Sequence, residues 1–536
     1  MPLPDGSFLL FSLGGFAVFL LWNLYHFGQA FGKKTFGVSI GVTVAVLAAG
    51  FMYLQWRQQR TWLEKRASLL IFPAVAKSDG PRLEANGLAI AEMTGEYLRQ
   101  TANLPFYLIP TETVFAAAQR DSLIYNEYVV RFARAAGLSI IVFGGYRQDA
   151  AATNHHDEWT GDFKLFDLRK KNISAETALN LPKSFTSLPE LARAIAQNLA
   201  SAGASTPARI WQNQVNAADL QKYYAAKFDL LRDRTEAALA AARRLALADT
   251  SQENFAGLYV ASFLRHYQHH AMHQTLWADS LRFILPAAKH AAARDSVCSG
   301  SARRLGEVYL SLKKWNEAEN ALRLARGRDS TDSKIYLRLA QLHASRWRLL
   351  GFRSELELYQ RARAFNPLDL EAGLLEADYQ WRENHPAPAV EILEHWLRLN
   401  PNQVEVLMSL ARVKPPANDD PQNLAVYKRI LTLAPDNAEA YFNLGIVYYH
   451  QEDFDNAGKF FERAIQLNNH ADARLYLASL AERRGNLELA IQYLRERIRL
   501  SRGDDDRYAE VARNQLYNIL LARGEIPAQL RPDSLK

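Results

Sequence analysis

Small and bulky side chains recur along the second half of this chain in a fixed register, and few folds accept that register. Around Gly445 stand Tyr441, Leu444, Tyr448, Ala457, Phe461 and Ala464, and Pro435 closes the stretch before them. The same offsets return at Leu305, Gly306, Tyr309, Ala318, Leu322 and Ala325, and again at Tyr336, Leu339, Ala340, Tyr359, Ala362 and Pro367, in a copy lengthened near residues 347–352. Further copies keep Ala377, Ala389, Leu393 and Pro401, then Leu410, Ala411, Tyr427 and Pro435, then Leu477, Ala478, Ala490 and Leu494. A period of about 34 residues describes a helix, a turn and a second helix that cannot bury its own apolar faces, so each unit needs its neighbours. Gly445 falls where the two helices of one hairpin cross closely, Ala457 and Ala464 keep the second helix thin, and the aromatic rings fill the remaining gaps. Pro415 and Pro416 cut one first helix short, and residues 505–523 read as a single amphipathic helix closing the stack.

These residues resemble the tetratricopeptide-repeat family over residues 299–523. The resemblance implies an all-α solenoid that holds partners rather than making or breaking bonds. It also implies that the first helix of each pair lines a concave groove, at Arg303, Arg304, Glu307, Lys334, Arg338, Gln341, Asp378, Trp381, Arg412, Phe442, Asn443 and Tyr449. The first end of that lining is basic, which points to an acidic or carboxylate-bearing peptide as the partner. The two-carboxylate clamp of chaperone-binding relatives is not reproduced: Asn443 stands at one clamp place, but Met408, Asp472 and Tyr476 occupy places that would need Lys, Lys and Arg. Residues 205–298 are helical in pattern and read as degenerate leading repeats.

At the other end, residues 8–27 and 36–54 are apolar, free of charged side chains and long enough to cross about 30 Å of hydrocarbon. They predict a two-helix transmembrane hairpin within residues 1–66, with a cleavable signal as the competing reading. Lys33 and Lys34 in the link and Arg57, Arg60, Lys65 and Arg66 at the exit favour both ends on the cytoplasmic side. The expected location is therefore a bacterial inner membrane, multi-pass, with a periplasmic soluble part as the alternative. Gly37 and Gly41 offer a spacing for homo-oligomerisation.

Between these parts, residues 67–204 alternate strand and helix patterns and predict a small α/β domain whose strand order the sequence leaves open. The motifs Leu69-Leu70-Ile71-Phe72-Pro73, Gly87-Leu88-Ala89, Ala133-Arg134-Ala135-Ala136-Gly137-Leu138 and Val142-Phe143-Gly144-Gly145 resemble the TolB-type amino-terminal domain. Such a domain implies a role in bacterial signalling ahead of helical repeats. The chain depart from that pattern at residues 149–158 and 169–183. The division is thus 1–66, 67–204, 205–298, 299–523 and a tail at 524–536.

A formal charge of +7 favours acidic partners or anionic headgroups, and the single Cys298 excludes an internal disulfide. His266, His269, His270 and His273 put imidazoles on one helical face, but no carboxylate or thiol joins them, and an exposed polar face is the preferred reading. The run from Gly28 to Thr35 is one residue short of a phosphate loop. No zinc-protease, serine-hydrolase or dinucleotide fingerprint is present, so no enzyme, cofactor or metal is predicted, and no nucleic-acid partner. The expected function is a membrane-anchored, non-enzymatic scaffold binding a protein or peptide; the alternative is a periplasm-facing subunit of an envelope assembly or export system.

Overall fold

The computed structural model describes residues 67–77, 81–99, 106–119, 122–149, 158–169, 176–200, 215–269, 274–294, 299–413, 421–501 and 506–525. The first of these form a sheet with helices: β1 Ala67–Ile71, β2 Val75–Ala76, β3 Arg82–Leu83, α1 Ala85–Arg99, β4 Phe106–Ile109, a 3-10 turn Thr111–Thr113, α2 Val114–Ala117, α3 Asn126–Ala135, β5 Ile140–Asp149, β6 Glu158–Asp167, β7 Glu176–Ala178 and α4 Leu188–Ala200. The order is β3-β2-β5-β1-β4, with β6 beside β5 and β7 beside β6. β5 is long enough to serve two partners along one edge, β1 at Ile140 to Val142 and β2 at Gly145 and Tyr146, both parallel. β6 runs antiparallel along its other edge, with Gly145 opposite Asp162 and Phe143 opposite Lys164. Leu69, Leu70 and Ile71 are buried, as a parallel strand covered on both faces requires. Helix α1 comes unusually close to the chain between β1 and β2: Gly87 accepts from the Ala74 amide at 3.0 Å, and a Cβ there would lie 1.9 Å from the Ala74 carbonyl oxygen.

The rest is helical. α5 Ala217–Leu231, α6 Thr235–Ala248, α7 Glu253–His269 and α8 Gln274–Arg294 stack as two hairpins. They are followed by α9 Ser299–Ser311, α10 Trp315–Arg328, α11 Ser333–Ala340, α12 Ala344–Leu349, α13 Glu355–Phe365, α14 Leu370–Arg382, α15 Pro386–Leu399, α16 Val404–Val413 and α17 Pro421–Leu433. The stack ends with α18 Ala438–His450, α19 Phe454–Asn468, α20 Ala471–Arg483, α21 Leu487–Arg499 and α22 Arg507–Ala522. Asp332, Asp369, Asn437, Asp453, Asn486 and Asp506 cap their helices by accepting a backbone N–H. One residue in each of five hairpin turns, Asp233, Lys313, Asn384, Glu452 and Gly485, sits at positive φ. The common turn geometry survives at Lys313 and Glu452, where the side chain opposes it.

The repeat register is that of the core. Ala457, Phe461 and Ala464 are fully buried, as are Ala318, Leu322 and Ala325, and Gly445 lies against the Phe461 ring. The third copy accommodates its extra residues as the short helix α12. One later unit inverts the size pattern: Gly373 on α14 makes room for the Trp396 indole from α15.

The expected transmembrane hairpin and multi-pass location are corrected here. Among the described residues no helix is long and apolar enough to cross a membrane. The physical reason is visible in the repeats, whose helices carry charged side chains along their length, as in α10 with Glu317, Glu319, Arg323, Arg326 and Arg328. Residues 8–27 and 36–54, like His270, His273, Cys298, Pro415 and Pro416, lie outside the described residues.

Candidate functional site: the face of the first helices

The residues expected to form a basic groove wall are brought together, but as a closed ion-pair ladder. Arg303 on α9 reaches Glu307 one turn along at 2.8 Å and Asp332, the cap of α11, at 3.0 Å; Ser299 donates to the same carboxylate. Arg338 on α11 bridges Glu307 at 2.9 Å and Glu371 on α14 at 2.5 Å. Lys334 completes the rung with Asp369, the cap of α14, at 2.7 Å and Glu371 at 2.8 Å. Three cations thus meet four carboxylates, Glu307, Asp332, Asp369 and Glu371. The Arg303 and Arg338 side chains are only 13% and 15% exposed, so their forked donors are already committed to acids of the same chain.

The electrostatics follow from that closure. Burial opposes ionisation of Glu307, Asp332 and Glu371, yet the adjoining Arg303, Arg338 and Lys334 overcome it and hold all three below the usual carboxylate range. Arg303 and Arg338 are correspondingly held above theirs, against burial, by Asp332 and Glu307. Arg304 points elsewhere. It is half-buried, and Gly257 and Gly300 leave space for its guanidinium: a Cβ at these positions would stand 3.2 and 3.5 Å from Nη1.

The ladder's first end adjoins a second, partly buried charge cluster, shared with the sheet-bearing part of the chain. Lys227 on α5 pairs with Glu92 on α1 at 2.8 Å and with Glu112 of the 3-10 turn at 3.5 Å. Lys227, with Arg304 and Arg303 behind it, pulls Glu112 down to about 2. Burial pushes Glu92 upward. Beside them, Phe115 on α2 meets Phe228 on α5 edge-on at 5.9 Å.

Farther along, the expected lining residues part company. Asp378 holds Arg382 at 3.0 Å and Arg412 at 2.8 Å, and the Arg412 guanidinium stacks over the Trp381 ring at 5.3 Å. Trp381 stays 37% exposed. Asn443 is half-buried near Glu439, Tyr449 packs against Phe454 and Tyr476, and Gln341 is an exposed helix cap. Phe442 is buried, its ring stacked on His470 at 4.3 Å and edge-on to Tyr476 at 5.7 Å. Asp472, at one absent clamp place, is bound to the buried Arg497 at 2.7 Å. His266, from the expected imidazole face, bonds Thr235 through Nδ1 at 3.0 Å; no cluster of metal-ligating residues occurs among the described residues.

Sequence reasoning missed Asp332, Asp369, Glu371, Glu92, Glu112 and Lys227. The two aspartates carry a usable signal, since each directly precedes a helix as a cap. The other four have none, because their partners lie far away in sequence.

Comparison with known proteins agrees with the register. Tetratricopeptide-repeat models match residues 438–470 and 468–505, so this part of the chain consists of such repeats. Neither match reaches residues 67–204, where the TolB-type resemblance rests on sequence motifs alone. The chain is 28% identical over 204 residues to the protein O-mannosyl-transferase TMTC1 of Homo sapiens, covering 36% of this chain and 22% of that protein. It is 33% identical over 129 residues to TMTC1 of Mus musculus, covering 23% and 13%. The chain therefore spans about a fifth or less of the curated relatives it matches. Among solved structures, the APC/C hetero-tetramer Cut9-Hcn1 aligns with a TM-score of 0.41 at 17% identity, covering 58% of each chain. An IFIT1 monomeric mutant with Gppp-AAAA aligns at 0.40 and 13%, covering 58% and 75%.

Proposed function

We propose that this chain is a non-enzymatic scaffold that holds a protein segment against the first helices of its repeats. The observation that carries this reading is the contrast along that face. Arg303, Lys334 and Arg338 are consumed by the ladder, which fixes one first helix against the next, whereas Trp381 and Arg412 remain open to a partner. An exposed indole with a guanidinium stacked on it combines two of the three residue types enriched in binding hot spots. The ladder then acts as a stiff spine and the Trp381–Arg412 pair as the anchor. This modifies the expected acidic ligand: the cations at the anchor, Arg412 and the neighbouring Arg382, already share Asp378. The carboxylates of the ladder are each held by a cation, an arrangement that suits rigidity and not proton transfer. We read the match to the O-mannosyl-transferases as shared repeats, since it spans too little of those proteins to carry transfer chemistry.

A photo-crosslinking side chain placed at Asn443 tests the reading in cells producing the full chain. The expected result is a discrete protein adduct that disappears in the Trp381→Ala, Arg412→Ala double variant. Adducts unchanged by that double substitution would refute the anchor.

A further inference from the structure

The sheet carries a crevice of about 630 Å³ that the repeat-centred reading leaves unused. Its position follows from topology. β1, β2 and β5 are parallel, and α3 precedes β5, so the first turn of α3 stands at the carboxyl edge of those strands. In open α/β sheets that edge is where ligands bind. Helix α3 covers the sheet only partway: Phe132 meets Phe72, which in turn meets Phe143. Beyond Phe143 the covering stops, and the crevice opens between the helix start and the sheet floor.

Strand alternation decides what the floor presents. Gly145 lies opposite Asp162, and Phe143 opposite Lys164, so Asp162 and Lys164 project from the same face. Gly145 supplies no side chain, and Lys77 lies across it: a Cβ there would stand 2.2 Å from Lys77 Cε. Lys77 is thereby delivered to Asp162, with Nζ 2.7 Å from both carboxylate oxygens. The wall adds Arg131, whose guanidinium sits 6.0 Å from the Tyr128 ring, and at the rim Tyr125 is 60% exposed. Tyr125 also precedes the helix without a side-chain cap, leaving first-turn N–H groups facing outward.

We propose that this crevice binds a small phosphorylated ring compound with the size and charge of a nucleoside monophosphate. Lys164 on the floor and Arg131 on the wall come from two separate elements and both line the crevice, and two cations favour a doubly charged phosphate over a single carboxylate. The open Tyr125 face at the rim offers the stacking surface for a planar ring. The volume lies within the range of small-molecule sites.

Calorimetric titration of the purified full chain with AMP, adenosine and inorganic phosphate tests this. AMP is expected to bind with a Kd below about 1 mM, and adenosine and phosphate each at least about tenfold more weakly. The Arg131→Glu, Lys164→Glu double variant should lose about tenfold or more in AMP affinity at an unchanged melting temperature. Tyr125→Ala should weaken AMP while leaving phosphate unaffected. If the double variant does not fold, Arg131→Gln, an exposed substitution, carries the charge test alone. Absence of AMP binding, AMP binding indifferent to the charge changes, or phosphate binding as tightly as AMP would each overturn the proposal.

Discussion

Three glycines provide a graded test of the packing that defines the repeats. A Cβ added at Gly445 would lie 2.6 Å from Phe461 Cε1 and 2.7 Å from Cδ1, against the roughly 3.5–4.0 Å that carbon contacts prefer. Phe461 is fully buried, stacked on Tyr476 at 5.1 Å and beside Phe442 at 5.9 Å, so its ring has nowhere to retreat. Overpacking of this kind costs about 1–3 kcal/mol, offset by about 1 kcal/mol from alanine's higher helix propensity. Gly445→Ala should therefore destabilise by about 0–2 kcal/mol, and Gly445→Leu by more. At Gly306 the nearest atoms are Leu322 Cγ and Cδ2, both at 2.9 Å on a side chain that can change rotamer, and the two terms should nearly cancel. At Gly373 the Trp396 Nε1 stands at 2.0 Å in a rigid ring, and the loss should be the largest. Thermal unfolding followed by far-ultraviolet circular dichroism should rank the variants Gly373→Ala, Gly445→Ala, Gly306→Ala in decreasing loss of Tm. Phe461→Leu should suppress the effect of Gly445→Ala. A rise in Tm for Gly445→Ala, or no suppression by Phe461→Leu, refutes the close crossing.

Two further outcomes follow from the charge clusters. Lys227→Met leaves the mostly buried Glu92 without its cation and should cost about 3–5 kcal/mol, read from urea midpoints; Glu92→Gln in the same chain should recover part, and a loss below about 1 kcal/mol would deny the cluster a structural role. In acid, the depressed folded pKa values of Glu307, Asp332 and Glu371 mean that their contribution is present above their unfolded values near about 4 and is lost as pH falls through the lower folded values. The Tm of the repeat transition should accordingly drop below about pH 4, and Arg338→Gln should flatten that drop; an unaltered acid profile in the variant would count against the ladder.

The sequence by itself determined the repeats. Gly445, Phe461 and the alanines around them state a steric requirement, one close crossing per hairpin, that depends only on side-chain size at fixed offsets and so is legible without coordinates. The strand order of the sheet was not legible, because β5 serves β1, β2 and β6 at once and no local pattern records that. Nor was the state of the charged face. Offsets put Arg303, Lys334 and Arg338 on one side and suggested a basic surface, but apart from Glu307, one turn from Arg303, their acids come from helix caps and from the next unit, at sequence separations that periodicity does not connect. Phe442 turned inward for the same kind of reason, since His470 from the following hairpin covers it. Size is a property of one residue, whereas charge on a surface is a property of whatever the fold brings beside it, and only the tertiary structure could decide which cations were left to meet a partner.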